Sequence, residues 1–323
     1  MSKSLPFAGC VAPAPRSAQF AALIAALLSA ACSHPVASVV PSSTLSYSFG
    51  THVTGIGTSM ILIPGLMSSG RVWDSVVAHY NPHYQVHVLD LPGYAGRPAA
   101  GDSAVLEHIA SDLGRYIREQ CLTKPILIGH SLGGLLAFRV AAEAPDIIGR
   151  VISVDGLPYA PAVQDPRASV MMMRPTATTV RMSYRQLTGA QLETQARAIS
   201  NSMTLSSAFA DTLAAWSRRS DPATVGDVIA DMLTTDLRPS VSRIRAPVLL
   251  VGTFGLAVDS AGRARTSAAY EQQIAGITRH SLVMAEHSRH FVMVDALPWL
   301  LTTIDAFLAA SGNESLRPES SCH

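Results

Sequence analysis

Charge is scarce in this chain of 323 residues: Asp, Glu, Lys and Arg together make up 15% of it, and aromatic residues only 6%. With 48% hydrophobic residues, that balance excludes an intrinsically disordered chain, which buries too little apolar surface to offset its conformational entropy. No basic run occurs. Lys3 and Arg16 lie near the start, so the segment from Cys32 onward holds 22 basic and 23 acidic side chains. A polyanion-binding surface needs clustered Lys and Arg, so nucleic acid is not an expected partner. Metal-binding spacing is missing as well: the four cysteines form no CxxC pair. His79, His83 and His87 recur every four residues, but Asn81-Pro82 breaks the segment and 84–89 reads as a strand. Surface histidines are the expectation there, and neither a metal nor a cofactor is expected.

Also absent is an apolar run long enough to span a bilayer. The longest, residues 18–31, falls short of the roughly 20 residues a transmembrane helix needs. Lys3 and Arg16 precede it, and small residues close it before Cys32, which is the layout of a secretory signal. Leu28-Ser29-Ala30-Ala31-Cys32 is similar to a bacterial lipoprotein signal, in which the Cys is lipidated and begins the mature protein. The expectation is an exported protein, periplasmic or membrane-anchored as a lipoprotein through Cys32, with residues 1–32 as signal and 33–46 as linker. Cys121 and Cys322 then remain, and no structural bridge is expected because Cys322 sits in the polar tail, 312–323.

What the chain does hold is alternation. Short apolar, β-branched runs at 46–54, 60–63, 84–89, 126–129, 150–154, 248–251 and 281–285 read as strands. Amphipathic stretches at 103–120, 132–144 and 266–277 fall between several of them. Uniformly apolar strands alternating with helices imply an α/β fold, a mostly parallel sheet covered by helices on both faces. The alternation stops between 158 and 240, where Leu205, Phe209, Leu213 and Trp216 keep helical spacing and Asp221-Pro222 reads as an N-cap with Pro at the first helical position. This segment is expected to be a helical cap inserted into a core made of 47–157 and 241–311. Met171, Met172 and Met173 would serve it as core filler or as the lining of an adaptable pocket.

The chemistry concentrates at Ile126-Leu127-Ile128-Gly129-His130-Ser131-Leu132-Gly133-Gly134, an apolar strand running through G-x-S-x-G into a helix pattern. This is a nucleophile elbow: a turn so tight that small residues must flank a serine held in a strained conformation. His130 reads as a spacer within it.

At these residues the chain resembles the α/β-hydrolase superfamily of esterase- and lipase-like serine hydrolases. The resemblance extends to Ile61-Leu62-Ile63-Pro64-Gly65-Leu66 with Trp73 after it, to Asp90-Leu91-Pro92-Gly93-Tyr94-Ala95-Gly96-Arg97, and to Arg289-His290-Phe291 followed by Asp295. It implies Ser131 as nucleophile and His290 as general base, with His287 the weaker candidate because no apolar run and helix trail it. It also implies an oxyanion hole from the backbone N–H groups of Leu66 and Leu132. The third triad member has two candidates. Asp155 follows the strand at 150–154, and Asp259 lies further along the loop after Gly252-Thr253-Phe254-Gly255, where it could instead cap the next helix. The layout is also similar to that of haloalkane dehalogenases. A serine nucleophile with aliphatic Leu66 and Leu132 in place of halide-binding donors disfavours that chemistry. A serine esterase acting on a small-molecule carboxylic ester is the resulting expectation. The alternatives are a C–C bond hydrolase or cofactor-free perhydrolase on the same triad, and a non-catalytic envelope-anchored binding protein.

Overall fold

The computed structural model describes residues 46–310, apart from 100, 102, 103, 256 and 258. The signal, Cys32, the linker up to its last residue and the polar tail lie outside the described residues.

Among the described residues seven strands form one sheet: β1 (Gly50–Thr54), β2 (Thr58–Ile63), β3 (Tyr84–Asp90), β4 (Ile126–His130), β5 (Arg150–Val154), β6 (Val248–Thr253) and β7 (His280–Ala285). Their order is β1-β3-β2-β4-β5-β6-β7, with β1 antiparallel to β3 and every other pair parallel. The expected first strand shortens to five residues at the exposed edge of the sheet, where alternate positions need no core partner. The central strands β4, β5 and β6 are buried along their whole length, as a sheet covered on both faces requires. Chain order reverses between β2 and β4, and such a switch point opens a crevice at the carboxyl ends of the strands.

The described residues form ten α-helices: α1 (Asp74–Tyr80), α2 (Val105–Glu119), α3 (Leu132–Glu143), α4 (Val170–Tyr184), α5 (Gly189–Met203), α6 (Ser207–Arg218), α7 (Pro222–Thr234), α8 (Ser260–Ile274), α9 (Val292–Asp295) and α10 (Leu297–Ala310). Two apolar clusters fill the two faces. Leu113, Leu136, Phe138, Leu250 and Ile274 belong to one; Trp73, Ile128, Val251, Leu300 and Ile304 belong to the other. Between β5 and β6 the chain forms α4 to α7. Asp221 caps α7 by accepting from the Thr224 N–H at 2.8 Å, with Pro222 at the first helical position. α4 is fastened to α7 by Arg181, which pairs with Asp227 at 3.0 Å and Asp231 at 2.9 Å, and by Arg185, which pairs with Asp227 at 2.9 Å. α8 starts at Ser260, well before the expected 266, because Asp259 caps it by accepting from the Gly262 N–H.

Three side-chain expectations are corrected. Met171 and Met172 are 81% and 57% exposed, so neither fills a core nor lines a pocket; only Met173 packs inward, against the Tyr159 cluster. Cys121 is disulfide-bonded, against the expectation of no structural bridge. His79 and His83 are at the surface, but His87 is buried on β3.

His87 accepts the Tyr116 hydroxyl on Nδ1 at 2.7 Å and donates from Nε2 to Gln85 at 3.2 Å, so the neutral ring is satisfied on both sides. Burial lowers its pKa to about 4. Between pH 6.5 and 4 the unfolded chain holds a proton on this residue and the folded chain does not. Stability therefore declines as pH falls through that window, by at most about 1.4 kcal/mol per pH unit for one proton. Urea unfolding of His87→Gln is expected to show a flatter decline between pH 7 and 4.5 than wild type. An equal decline would remove His87 as a cause.

Candidate active site

Ser131 sits on the turn between β4 and α3 with φ 53° and ψ −115°, a backbone combination that L-residues rarely adopt. The sequence around it leaves no other route. A Cβ on Gly129 would lie 2.1 Å from the Gly133 carbonyl oxygen, and one on Gly133 would lie 2.2 Å from that of Ile63. Strand, turn and helix therefore close on each other only with glycine at both positions. The Ser131 N–H bonds the Val154 carbonyl at 2.9 Å, which ties the elbow to the end of β5. Holding this conformation costs on the order of 1–3 kcal/mol, supplied by the surrounding packing.

One residue past β5, Asp155 is also left-handed, at φ 51°. Its buried carboxylate accepts four hydrogen bonds. Oδ1 takes the Tyr270 hydroxyl at 2.7 Å and the Thr253 N–H at 3.1 Å; Oδ2 takes the Thr253 hydroxyl at 3.0 Å and His290 Nδ1 at 2.6 Å. Burial pushes the acid's pKa up, but the bonds from His290, Tyr270 and Thr253 outweigh it, and the net shift is downward. Asp155 is thus an ionised acceptor that fixes the proton of His290 on Nδ1, which leaves Nε2 as that ring's acceptor.

His290 lies in the loop after β7, half-buried. Asp295 holds that loop: it accepts the Arg289 N–H at 2.9 Å, the Thr204 hydroxyl at 2.6 Å and the Leu205 N–H at 2.9 Å. The Phe291 N–H reaches the Met203 carbonyl at 3.0 Å, so the α5–α6 connection is bound to the histidine loop. His287 is exposed. Asp259, the alternative acid, is the exposed N-cap of α8 and spends its Oδ1 on Gly262, whereas Asp155 meets His290 directly.

Leu132 opens α3, where the first N–H groups of a helix have no partner within it. The turn Gly65–Ser68, closed by the Ser68 N–H to the Gly65 carbonyl at 3.2 Å, carries Leu66. A Cβ on Gly65 would stand 3.3 Å from that of Ser131, so the turn passes beside the serine. Two N–H-bearing segments thus flank Ser131, and the α3 dipole adds a partial positive charge.

Sequence reasoning missed three participants. Thr253 and Tyr270 hold Asp155; Thr253 ends β6, beside the Phe254-Gly255 turn, while Tyr270 on α8 carries no local signal. His130 is more than a spacer. It is 1% exposed, its ring centroid lies 4.6 Å from that of His290 and 4.5 Å from that of Phe291, and its Nε2–H donates to the His290 carbonyl at 3.0 Å. Burial, with His290 alongside, lowers its pKa to about 3, so it braces the histidine loop as a neutral ring. Among the described residues no cluster of side chains suits a metal ion.

The chain is similar to several known proteins. The chain is 29% identical over 259 residues to the pimeloyl-[acyl-carrier protein] methyl ester esterase of Nitrosomonas europaea, covering 73% of this chain and 90% of that one. It is 34% identical over 101 residues to the enzyme of the same name from Pectobacterium carotovorum, where the match spans only 38% of that relative's length. Among solved structures, an esterase from Exiguobacterium antarcticum superposes with a TM-score of 0.65 at 15% identity, covering 81% of this chain and 95% of that one. The enol-lactonase from Burkholderia xenovorans does so at 0.64 and 18%, covering 81% and 96%. Identities this low speak to the fold alone. A model described as the alpha/beta hydrolase family matches residues 60–300, which span the elbow, Asp155, the helical insertion and His290. With well over half of its length inside that match, the chain belongs to the alpha/beta hydrolase family.

Proposed function

We propose that this protein is a carboxylic-ester hydrolase acting on small-molecule esters through an acyl-enzyme on Ser131. The observation that carries the reading is the 2.6 Å bond between Asp155 and His290, 135 residues apart, beside a strained serine turn. Ser131 Oγ attacks the ester carbonyl while His290 Nε2 takes its proton, and the oxyanion rests on the N–H groups of Leu66 and Leu132. Collapse expels the alcohol, protonated by His290. Water, deprotonated by the same nitrogen, then releases the acid and restores the serine. The similarity to methyl ester esterases supports acyl transfer to water.

A fluorophosphonate probe is expected to add one adduct, on the peptide containing Ser131, and to stop hydrolysis of p-nitrophenyl acetate and butyrate. Absence of labelling would reduce the protein to a binding scaffold. Faster turnover of a β-diketone than of any ester would move it to C–C bond hydrolysis. Short, soluble acyl esters are the preferred class, because the helical insertion is clamped to the histidine loop through Asp295. We also propose export, with lipidation at Cys32 and retention in the membrane fraction. Palmitate labelling in cells is expected to disappear in Cys32→Ser, and labelling that persists there would eliminate this site.

A further inference from the structure

A cavity of about 720 Å³ opens beside the catalytic pair, lined by Asp155 and His290 at one end and by one face of α8. Its position follows from the placement of the acid. Because Asp155, just past β5, supplies the carboxylate, the loop after β6 carries none to His290, and Phe254, Gly255 and Ala257 wall the cavity. On α8, Gly262, Arg265, Thr266 and Ala269 recur at helical spacing on the cavity side. Gly262 lies where the helix start is crowded: a Cβ there would stand 3.1 Å from Asp259 Oδ1, 3.3 Å from the Ala257 Cβ and 3.7 Å from Arg265 Nη2.

The two charged side chains that line the cavity, Asp155 and Arg265, do not pair with each other. Among the described residues Asp155 is the one carboxylate in its lining, and its oxygens accept from His290, Tyr270 and Thr253. Arg265 makes no ion pair among the described residues, whereas its neighbour Arg263 pairs with Glu286 at 3.9 Å and lies over the Phe254 ring. Asp259, near the same helix start, accepts the Gly262 N–H on Oδ1 and makes no ion pair with Arg265 among the described residues. An unpaired guanidinium sharing a cavity with the general base has the fork geometry to take a carboxylate through two N–H donors.

We propose that Arg265 recognises a carboxylate on the substrate, so that the preferred ester is a monoester of a dicarboxylic acid, with its free carboxylate held on α8 and its ester carbonyl presented to Ser131. This rests on the ester-hydrolase reading of Ser131. Arg265 is exposed to solvent, so the attraction is screened by salt and is worth a modest factor in binding, not a catalytic one.

The test compares monomethyl esters of four- to seven-carbon dicarboxylic acids with their dimethyl counterparts in wild type, Arg265→Gln and Arg265→Lys. At low salt, the wild type is expected to favour the best monoester over its diester by tenfold or more in kcat/KM. Arg265→Gln should erase that ratio through KM, and Arg265→Lys should retain part of it. A ratio unchanged by Arg265→Gln overturns the proposal. A second measurement does not depend on turnover. Titration of the matching free dicarboxylate into Ser131→Ala should give binding at least tenfold weaker when Arg265→Gln is added. If neither protein binds it, the carboxylate site is refuted even where esters are hydrolysed. If it binds with that dependence while no ester turns over and Ser131 takes no fluorophosphonate, the hydrolase reading fails and the carboxylate site stands.

Discussion

Asp155→Asn is expected to lower kcat by about three to four orders of magnitude with little change in KM, because the amide must present its NH2 group to the wrong side. The neighbours decide which way the amide turns. Thr253 offers its backbone N–H to Oδ1, and a backbone N–H cannot reverse its role. The hydroxyls of Tyr270 and Thr253 can rotate to accept instead. The amide oxygen therefore stays on the Oδ1 side and the NH2 faces His290, 2.6 Å away in the wild type. His290 must then accept on Nδ1 and carry its proton on Nε2, the tautomer that cannot take a proton from Ser131. Activity is expected to recover partly at high pH, where hydroxide replaces the general base, which a structural collapse would not do. Asp259→Asn leaves the helix cap in place, since Asn caps as well as Asp, and is expected to remain within a factor of about two of wild type. Steady-state kinetics on a p-nitrophenyl ester rank the two variants. The reverse ranking would assign the acid to Asp259.

Ser131→Ala is expected to remove ester turnover by about six orders of magnitude in kcat and to abolish fluorophosphonate labelling, while the fold is kept. The serine is half-buried at a turn, and its backbone N–H, which alanine retains, makes the bond to Val154. Alanine suffers the same strain at φ 53°, so its melting temperature should match that of the wild type. Ser131→Gly is the informative companion. Glycine adopts this conformation without the Cβ clash, and it is expected to unfold at higher denaturant by about 1 kcal/mol while being equally inactive. A glycine variant less stable than the alanine variant would show that the elbow is unstrained. Hydrolysis surviving in either variant would end the mechanism.

Both results depend on contacts that differ in how visible they are from the chain. The elbow was legible because its requirement is local. Gly129 and Gly133 flank Ser131 within five positions, and each is needed for a close approach. The sheet was legible for a similar reason, since strands buried on both faces must be apolar throughout. His290 followed from chain order and from the apolar run and helix behind it. The histidine reading failed at His87, where a polar ring is buried because Tyr116 and Gln85 supply both of its partners from elsewhere. The methionine reading failed because helical spacing does not tell which face of α4 meets the protein; Arg181 and Arg185, paired to α7, decide that, and Met171 and Met172 are left outside.

By itself, then, the sequence determined the α/β class and the strained turn at Ser131, and pointed to His290, since those follow from periodicity, from chain order and from steric demands between neighbours in the chain. The choice of Asp155 over Asp259 belonged to the tertiary structure. Both residues suit the end of a strand or the start of a helix, and what separates them is the convergence of Thr253, Tyr270 and His290 on one carboxylate. The same holds for His130, which becomes a brace only when the loop after β7 folds over it, and for Arg265, whose lack of an ionic partner among the described residues is a fact of three-dimensional neighbourhood. Local sterics are written residue by residue, whereas a hydrogen bond between strand ends 98 residues apart exists only once the sheet has brought those ends together.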